Sequence, residues 1–221
     1  MSSGQGRRSR VLLNRNITVH GNYTDKYNTR NPISKLLMNG FLNSFDAFLT
    51  TVQKTGVNSI CEVGCAEGEL LKHVRAFFPH SQLSATDISG EEIEKAKNNC
   101  SGLDVNFSVQ NAEEMTGYED SSFDLVVCCE VLEHLDDPAL GLRELHRLSR
   151  KYALVSVPHE PIWRVLNVMR GKYLKRLGNT PGHLNHWNMI QFQKFLKTAK
   201  FTIVKKKYPL PWQMVLLVKQ P

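Results

Sequence analysis

The sequence predicts a doubly wound α/β fold, a mostly parallel sheet with helices on both faces and an N-terminal helix in front of it. Three observations predict it. From position 58 onward, short β-favourable apolar runs alternate with stretches of helical apolar spacing, the pattern of a parallel sheet built from strand–helix–strand units. The first run, Ser59-Ile-Cys-Glu-Val63, breaks directly into Gly64-Cys-Ala-Glu-Gly68, so glycines sit at a strand–helix joint, where ligands bind in open α/β sheets. The last two runs, Phe201 to Tyr208 and Gln213 to Lys219, are joined by Pro209-Leu-Pro211-Trp. Those prolines fit a connection and not a central strand, so the runs read as a closing pair.

Taken in order, residues 1–22 are rich in Ser, Gly, Arg and Asn without a sustained period and read as a flexible arm, and residues 23–221 read as one domain. Asn31-Pro32 offers a cap and a first-turn proline, after which Ile33, Leu36, Leu37, Phe41, Phe45, Phe48, Leu49 and Val52 follow helical spacing. Strand 58–63 leads into a helix carrying Leu70, Leu71, Val74 and Phe78. Gln82 to Asp87 is the second strand, and Ser89 caps a helix of Gly90 to Asn99. Leu103 to Val109 is the third strand and Ser122 to Glu130 the fourth; a helix of Ala139 to Leu148 and a fifth strand of Tyr152 to Val157 follow. Residues 158–187 are too long for an ordinary connection and read as a substrate-binding cap. Ile162, Trp163, Val165, Leu166 and Met169 make it apolar on one side, with Arg164, Arg170, Lys172, Lys175 and Arg176 supplying charge. A helix of Asn188 to Ala199 precedes the closing pair.

Composition narrows the classes. The chain is 221 residues long, enough for one substantial core. Its first ten residues are polar and basic, and no apolar run approaches the roughly 18 residues of a membrane span. Five cysteines, Cys61, Cys65, Cys100, Cys128 and Cys129, are odd in number and fall mostly in or beside strands. They read as buried small hydrophobes of a reduced, soluble, cytoplasmic protein. The net charge of +7 divides sharply: all 21 acids lie at or before Glu160, and the last 61 residues carry 12 Lys and Arg with no acid. The two parts net −5 and +12, so the C-terminal part suits an anionic partner, whether acceptor, lipid headgroup or nucleic acid, or is simply a solvated face.

The glycine loop discriminates between cofactors. A dinucleotide fingerprint needs glycines at 64, 66 and 69, and the chain has Gly64, Ala66 and Glu69. What stands here is Glu62-x-Gly64-x-x-x-Gly68, with an acid, Asp87, at the tip of the second strand 19 residues beyond Gly68. After the third strand comes Gln110-Asn-Ala-Glu113, and then the buried strand Phe123-Asp-Leu-Val-Val. In this order and spacing the four markers resemble the class I methyltransferases that use S-adenosylmethionine, in particular the methyltransferase type 11 and ubiquinone-pathway O-methyltransferase group.

The resemblance implies a Rossmann-like sheet of seven strands whose last pair is antiparallel. It places Glu62, Gly64, Cys65 and Gly68 around the methionine part of the cofactor. Asp87 and Ile88 fall at its ribose, and Asn111, Ala112 and Glu113 at its adenine. Asn111 stands where the family usually has Asp, and Ala66 also departs from the common pattern. Glu130 lies beside the expected methyl group.

The acceptor side gathers around Glu130-Val-Leu-Glu133-His134. Nine acids and no Lys or Arg fall between Glu113 and Asp137, a field that favours a cation. The Glu-x-x-Glu-His run also occurs in ubiquinone-pathway O-methyltransferases and in 2′-O-methyltransferases of small-RNA 3′ ends, where it serves a divalent metal. In the RNA enzymes a further histidine lies four residues before a tryptophan, as His183 does before Trp187. Glu130, Glu133, His134 and His183 are thus candidate ligands of Mg²⁺ or Mn²⁺. The other reading makes His134 or His159 a metal-free general base, with Glu130 beside it. The expected activity is O-methylation of a small acceptor, lipophilic or anionic. A basic, tryptophan-bearing cap also suits peripheral contact with a membrane surface. The alternatives are 2′-O-methylation of RNA, with the basic C-terminal part on phosphates, and a non-catalytic cofactor-binding or scaffold protein.

Overall fold

The computed structural model describes residues 31–220, so the predicted arm of residues 1–22 and the segment up to Arg30 lie outside it. Helix α1, Pro32–Gln53, begins where the sequence places it: the Asn31 side chain accepts from the amides of Ile33 and Ser34, with proline in the first turn. One stripe of α1, Met38, Phe41, Phe45, Phe48, Leu49 and Val52, is buried.

Strands β1 (Ser59–Val63), β2 (Gln82–Asp87), β3 (Asn106–Val109), β4 (Phe123–Cys129), β5 (Ser149–Pro158), β6 (Phe201–Lys207) and β7 (Trp212–Lys219) form one seven-stranded sheet. Their order is β3-β2-β1-β4-β5-β7-β6. The first five pair in parallel, whereas β7 runs antiparallel to both β5 and β6. The crossovers carry α2 (Glu69–Phe77), α3 (Gly90–Asn99) and α4 (Pro138–Leu148); α5 (Glu160–Met169) and α6 (Met189–Lys197) follow β5.

Side-chain alternation along the strands builds two layers. Leu125, Val127, Tyr152 and Leu154 face the apolar stripes of α1 and α2, and Val126, Cys128, Ala153 and Val155 face Leu142, Leu145, Phe192 and Leu196 of α4 and α6. Burial on both faces is why β4 and β5 read as continuous apolar runs. Asp124 ties the layers' shared frame together: its Oδ2 accepts from the Asn58 and Ser59 amides at 2.9 and 3.1 Å, holding the start of β1 against β4.

Two elements differ from expectation. β3 begins at Asn106, three residues late, because the Leu103 amide is taken by the Cys100 carbonyl in a turn closing α3. β5 begins at Ser149, three residues early, and its register with β4 shifts between Phe123 and Leu125. That irregularity admits the charged Arg150 and Lys151, which hide the strand in the sequence. All five cysteines are buried and free. Among the described residues no helix is long and apolar enough to cross a membrane.

Candidate active site

The chain moves outward from β1 to β2 and β3, then returns to place β4 on the other side of β1. The carboxyl ends of β1 and β4 therefore flank a topological switch point, where the loops diverge and leave a crevice.

The β1–α2 loop forms one wall. The Gly64 and Cys65 amides both donate to the Thr86 carbonyl, at 2.7 and 2.9 Å, pulling the loop over β2. Gly64 and Gly68 have φ of +74° and +81°, the left-handed region that glycine enters without cost. A Cβ at Gly64 would lie 2.3 Å from Val131 Cγ2, so this glycine lets the loop close against the connection leaving β4. Ala66 also has positive φ, +45°, and its amide donates to Asp87 Oδ2 at 3.0 Å. Cys65 packs its side chain among Leu71, Ala85, Ile93 and Cys100; what it presents to the crevice is backbone.

Glu62 closes the floor. It is 3% exposed, and among the described residues its Oε2 has no hydrogen-bond partner. Burial, with the charge of Asp87 adding to it, pushes its carboxyl up to about 8. Asp87 stands at the tip of β2 with Oδ1 on the Ser89 amide at 2.9 Å and Oδ2 on Ala66. Burial raises its carboxyl although these amides oppose the rise. Beside it Ile88 exposes an apolar side chain.

The third joint is used differently from expectation. Asn111 Oδ1, assigned above to the adenine, accepts from the Glu113 amide at 2.9 Å in a local turn. Glu113 points to α4, its Oε1 accepting from the Asp137 amide at 2.7 Å, and Ala112 packs onto the β4–α4 core.

Beyond β4, Glu130 has φ +61°, a strained conformation for a side-chain-bearing residue. Its amide donates to the Ser156 carbonyl and its Oε1 accepts from Ser156 Oγ, both at 3.0 Å. A single 3₁₀ turn, Leu132–His134, then replaces the α-helical turn that would have stacked Glu130 on Glu133 and His134. The convergent group is consequently Glu133, His134 and His183, with one ligand atom of each lying within 4.8 Å of the others. Glu130 is not among them, nor is His159. The latter caps α5, donates its amide to the Pro211 carbonyl, and has its imidazole pKa lowered by burial.

Each member of this group is held from behind. Glu133 is 1% exposed, and its carbonyl accepts from the Leu184 and Asn185 amides at 2.8 and 3.0 Å. His134 Nδ1 lies 2.9 Å from the Gly182 carbonyl. A carbonyl only accepts, so Nδ1 carries the proton and Nε2, 3.9 Å from Glu133 Oε1, offers a lone pair. His183 is buried with Nδ1 2.9 Å from Glu160 Oε1, stacks on Trp163 at 5.9 Å between ring centroids and meets His134 edge-on at 5.0 Å. Two imidazoles and one carboxylate fit a divalent transition metal better than the oxygen-seeking Mg²⁺.

Sequence reasoning missed Glu160. Its signal was its position as the last acid before 61 acid-free residues. An acid that starts a basic stretch and is itself buried has a local partner.

The described cap consists of α5, a 3₁₀ turn of Leu174–Arg176, and the loop to Trp187. Its inner side is polar and tied: Trp163 Nε1 donates to Thr180 Oγ1 at 2.8 Å and Asn167 Nδ2 to the Gly178 carbonyl at 2.9 Å. Its outer side exposes Val165, Met169, Leu174 and Leu177.

Comparison with known proteins agrees with this fold. A family model described as a methyltransferase domain matches residues 61–156. A ubiquinone biosynthesis O-methyltransferase of Xanthomonas euvesicatoria pv. vesicatoria (strain 85-10) is 29% identical over 146 residues, 64% of this chain and 57% of the relative. The chain thus spans a little over half the length of that curated relative. Magnesium protoporphyrin IX methyltransferase from Synechocystis PCC 6803 with bound SAH superposes with a TM-score of 0.65 at 18% identity, over 88% of this chain and 90% of that one. The [4+2]-cyclase SpnF superposes at 0.60 and 15% identity, over 80% and 81%. The fold therefore admits more than one chemistry, and function rests on the site.

Proposed function

We propose that the chain is a class I S-adenosylmethionine-dependent methyltransferase and that it methylates a hydroxyl oxygen of a small-molecule acceptor, using a divalent cation held by Glu133, His134 and His183. The observation that carries the cofactor half is Glu62, a buried carboxyl beside the glycine loop whose Oε2 has no hydrogen-bond partner among the described residues. The convergence of Glu133, His134 and His183 carries the acceptor half.

S-adenosylmethionine supplies an electrophilic methyl group on a sulfonium. In-line displacement then requires the acceptor oxygen, the methyl carbon and the sulfur to be collinear, and the residues divide that task. Glu62 binds the ammonium group and Asp87, oriented by the Ala66 and Ser89 amides, accepts from both ribose hydroxyls. Ile88 flanks the ribose beside Asp87, and the Asn111 amide reads the adenine edge. Glu130 and the glycine loop bound the methionine arm. A divalent cation at the three-residue group would lower the pKa of the acceptor hydroxyl, so that its proton passes to water as the O–C bond forms and the S–C bond breaks to release neutral adenosylhomocysteine, and would fix the hydroxyl's orientation. Glu133 supplies the negative charge, and each imidazole would offer Nε2, since Nδ1 of His134 faces the Gly182 carbonyl and Nδ1 of His183 faces Glu160.

The cap, residues 158–187, covers the acceptor with a polar inner side, and its exposed apolar and basic side chains lie outside, where a lipophilic or anionic molecule would approach. A small acceptor is favoured over RNA because the C-terminal basic residues divide between elements. Lys205, Lys206 and Lys207 lie on β6, the edge of the sheet, where lysines guard against strand pairing. Others lie on the cap.

The test is release of adenosylhomocysteine over a panel of phenolic, catecholic and alcoholic acceptors, with and without chelator. The expected result is turnover abolished by chelator and restored by Mn²⁺. Turnover unaffected by chelator removes the metal and leaves His134 or His159 as the base. Cofactor binding with no turnover on any acceptor identifies a non-catalytic binding protein.

A further inference from the structure

On the proposed reading of Glu133, His134 and His183 as a cation site, we infer that Glu160 is its positioning residue: it holds the proton of His183 on Nδ1 so that the Nε2 lone pair faces Glu133 and His134. Glu160 opens α5 immediately after β5, so the sheet itself sets its height. Its amide reaches the Trp187 carbonyl, which also accepts from Gln213 Nε2 of β7 at 2.9 Å. Glu160 and His183 are both buried, at 4% exposure each, and the contact between Glu160 Oε1 and His183 Nδ1 is 2.9 Å. A carboxylate in that place accepts and does not donate, which assigns the proton to Nδ1.

The residues at i, i+3 and i+7 of α5 act as one face. Glu160 takes the imidazole, Trp163 stacks on it and donates to Thr180, and Asn167 donates to Gly178 and Thr180. The helix thereby grips the loop 178–183 at three points and delivers its histidine to a group on a different loop. His134 is prepared in the same sense by the Gly182 carbonyl, next to His183 in the chain. One short segment thus fixes both imidazoles, the arrangement by which outer carboxylates and carbonyls set the tautomer and raise the basicity of metal-binding histidines.

The test uses the full chain. Long-range ¹H–¹⁵N correlation on metal-free protein reads the tautomer of His183, and calorimetric titration with Mn²⁺ reads affinity. The variants are Glu160→Gln, which keeps an acceptor oxygen without charge, and Glu160→Met, which removes the acceptor. Asn167→Ala cuts the same network without touching His183. Expected are a wild-type His183 protonated on Nδ1 alone, a mixed or Nε2-protonated ring in Glu160→Met, and Mn²⁺ affinity reduced roughly 10- to 100-fold in Glu160→Met and less in Glu160→Gln. Asn167→Ala should retain the wild-type tautomer and affinity. A wild-type ring protonated on Nε2 or on both nitrogens overturns the inference, as does an unchanged tautomer in Glu160→Met. Equal losses in Asn167→Ala and Glu160→Met reduce Glu160 to a structural role. Wild-type protein with the expected tautomer but no affinity for Mn²⁺ defeats the cation reading and leaves Glu160 as the orienter of a histidine.

Discussion

Replacing Glu62 by Gln separates the stability of the ligand-free chain from its function, and the structure sets both magnitudes. Burial and Asp87 push the carboxyl from the ordinary 4.5 up to about 8. Because the folded pKa is the higher one, the folded chain keeps a proton that the unfolded chain loses across that window. Stability of the ligand-free protein therefore falls with rising pH, by about 1.4 kcal/mol per unit, and levels off above pH 8 after a loss on the order of 5 kcal/mol at most. Glu62→Gln carries no such charge and should be the more stable protein at pH 8 to 9, by thermal or denaturant unfolding. Cofactor binding should move the opposite way. At pH 7 roughly nine in ten Glu62 carboxyls are protonated, so pairing with an ammonium group expels close to one proton. Calorimetry in two buffers of different ionisation enthalpy should record that release at pH 7, and none in Glu62→Gln. Affinity in the variant should drop roughly 10- to 150-fold, the loss of a charged hydrogen bond. Binding of adenosylhomocysteine to wild type without proton release, or to Glu62→Gln with wild-type affinity, would refute the reasoning.

Three further outcomes follow from the same walls. Asp87→Ala should lower cofactor affinity by at least about 100-fold, since two charge-assisted ribose bonds are lost, while circular dichroism stays native. Gly64→Ala should cost about 2 to 4 kcal/mol in denaturant unfolding, from positive φ and from the 2.3 Å approach to Val131 Cγ2. Adding Val131→Ala should recover the steric part but not the conformational one. Ala66→Gly should stabilise the chain by about 1 kcal/mol, because Ala66 sits at φ +45°; a lower melting temperature would show that the Ala66 conformation is not strained.

Much of the architecture was legible because burial writes itself into local pattern. The stripe of α1, the helix of Gly90 to Asn99 with its Ser89 cap, and the closing pair with its prolines all stand where the residues place them. β3 and β5 were misjudged at their starts for opposite reasons. Apolar Leu103 and Val105 pack under α3 without joining the sheet, and the charged Arg150 and Lys151 lie within it. The loop geometry of Gly64, Gly68 and Asp87 was legible because glycine, acid and spacing constrain one another along the chain. The acceptor side was less so. Spacing suggests that Glu130, Glu133 and His134 share a helical face, but the left-handed Glu130 and the 3₁₀ turn after it break that period. The partner of His183 lies 23 residues away in sequence, a distance over which no periodicity reports contact.

The most direct test of the account is a crystal structure of the full chain with adenosylhomocysteine and Mn²⁺. The account predicts the ammonium group on Glu62, the ribose hydroxyls on Asp87, the sulfur turned toward the cap, and the metal bound by Glu133, His134 and His183. A nucleoside lying outside the crevice between β1 and β4, or inside it with the ammonium group away from Glu62, would contradict it.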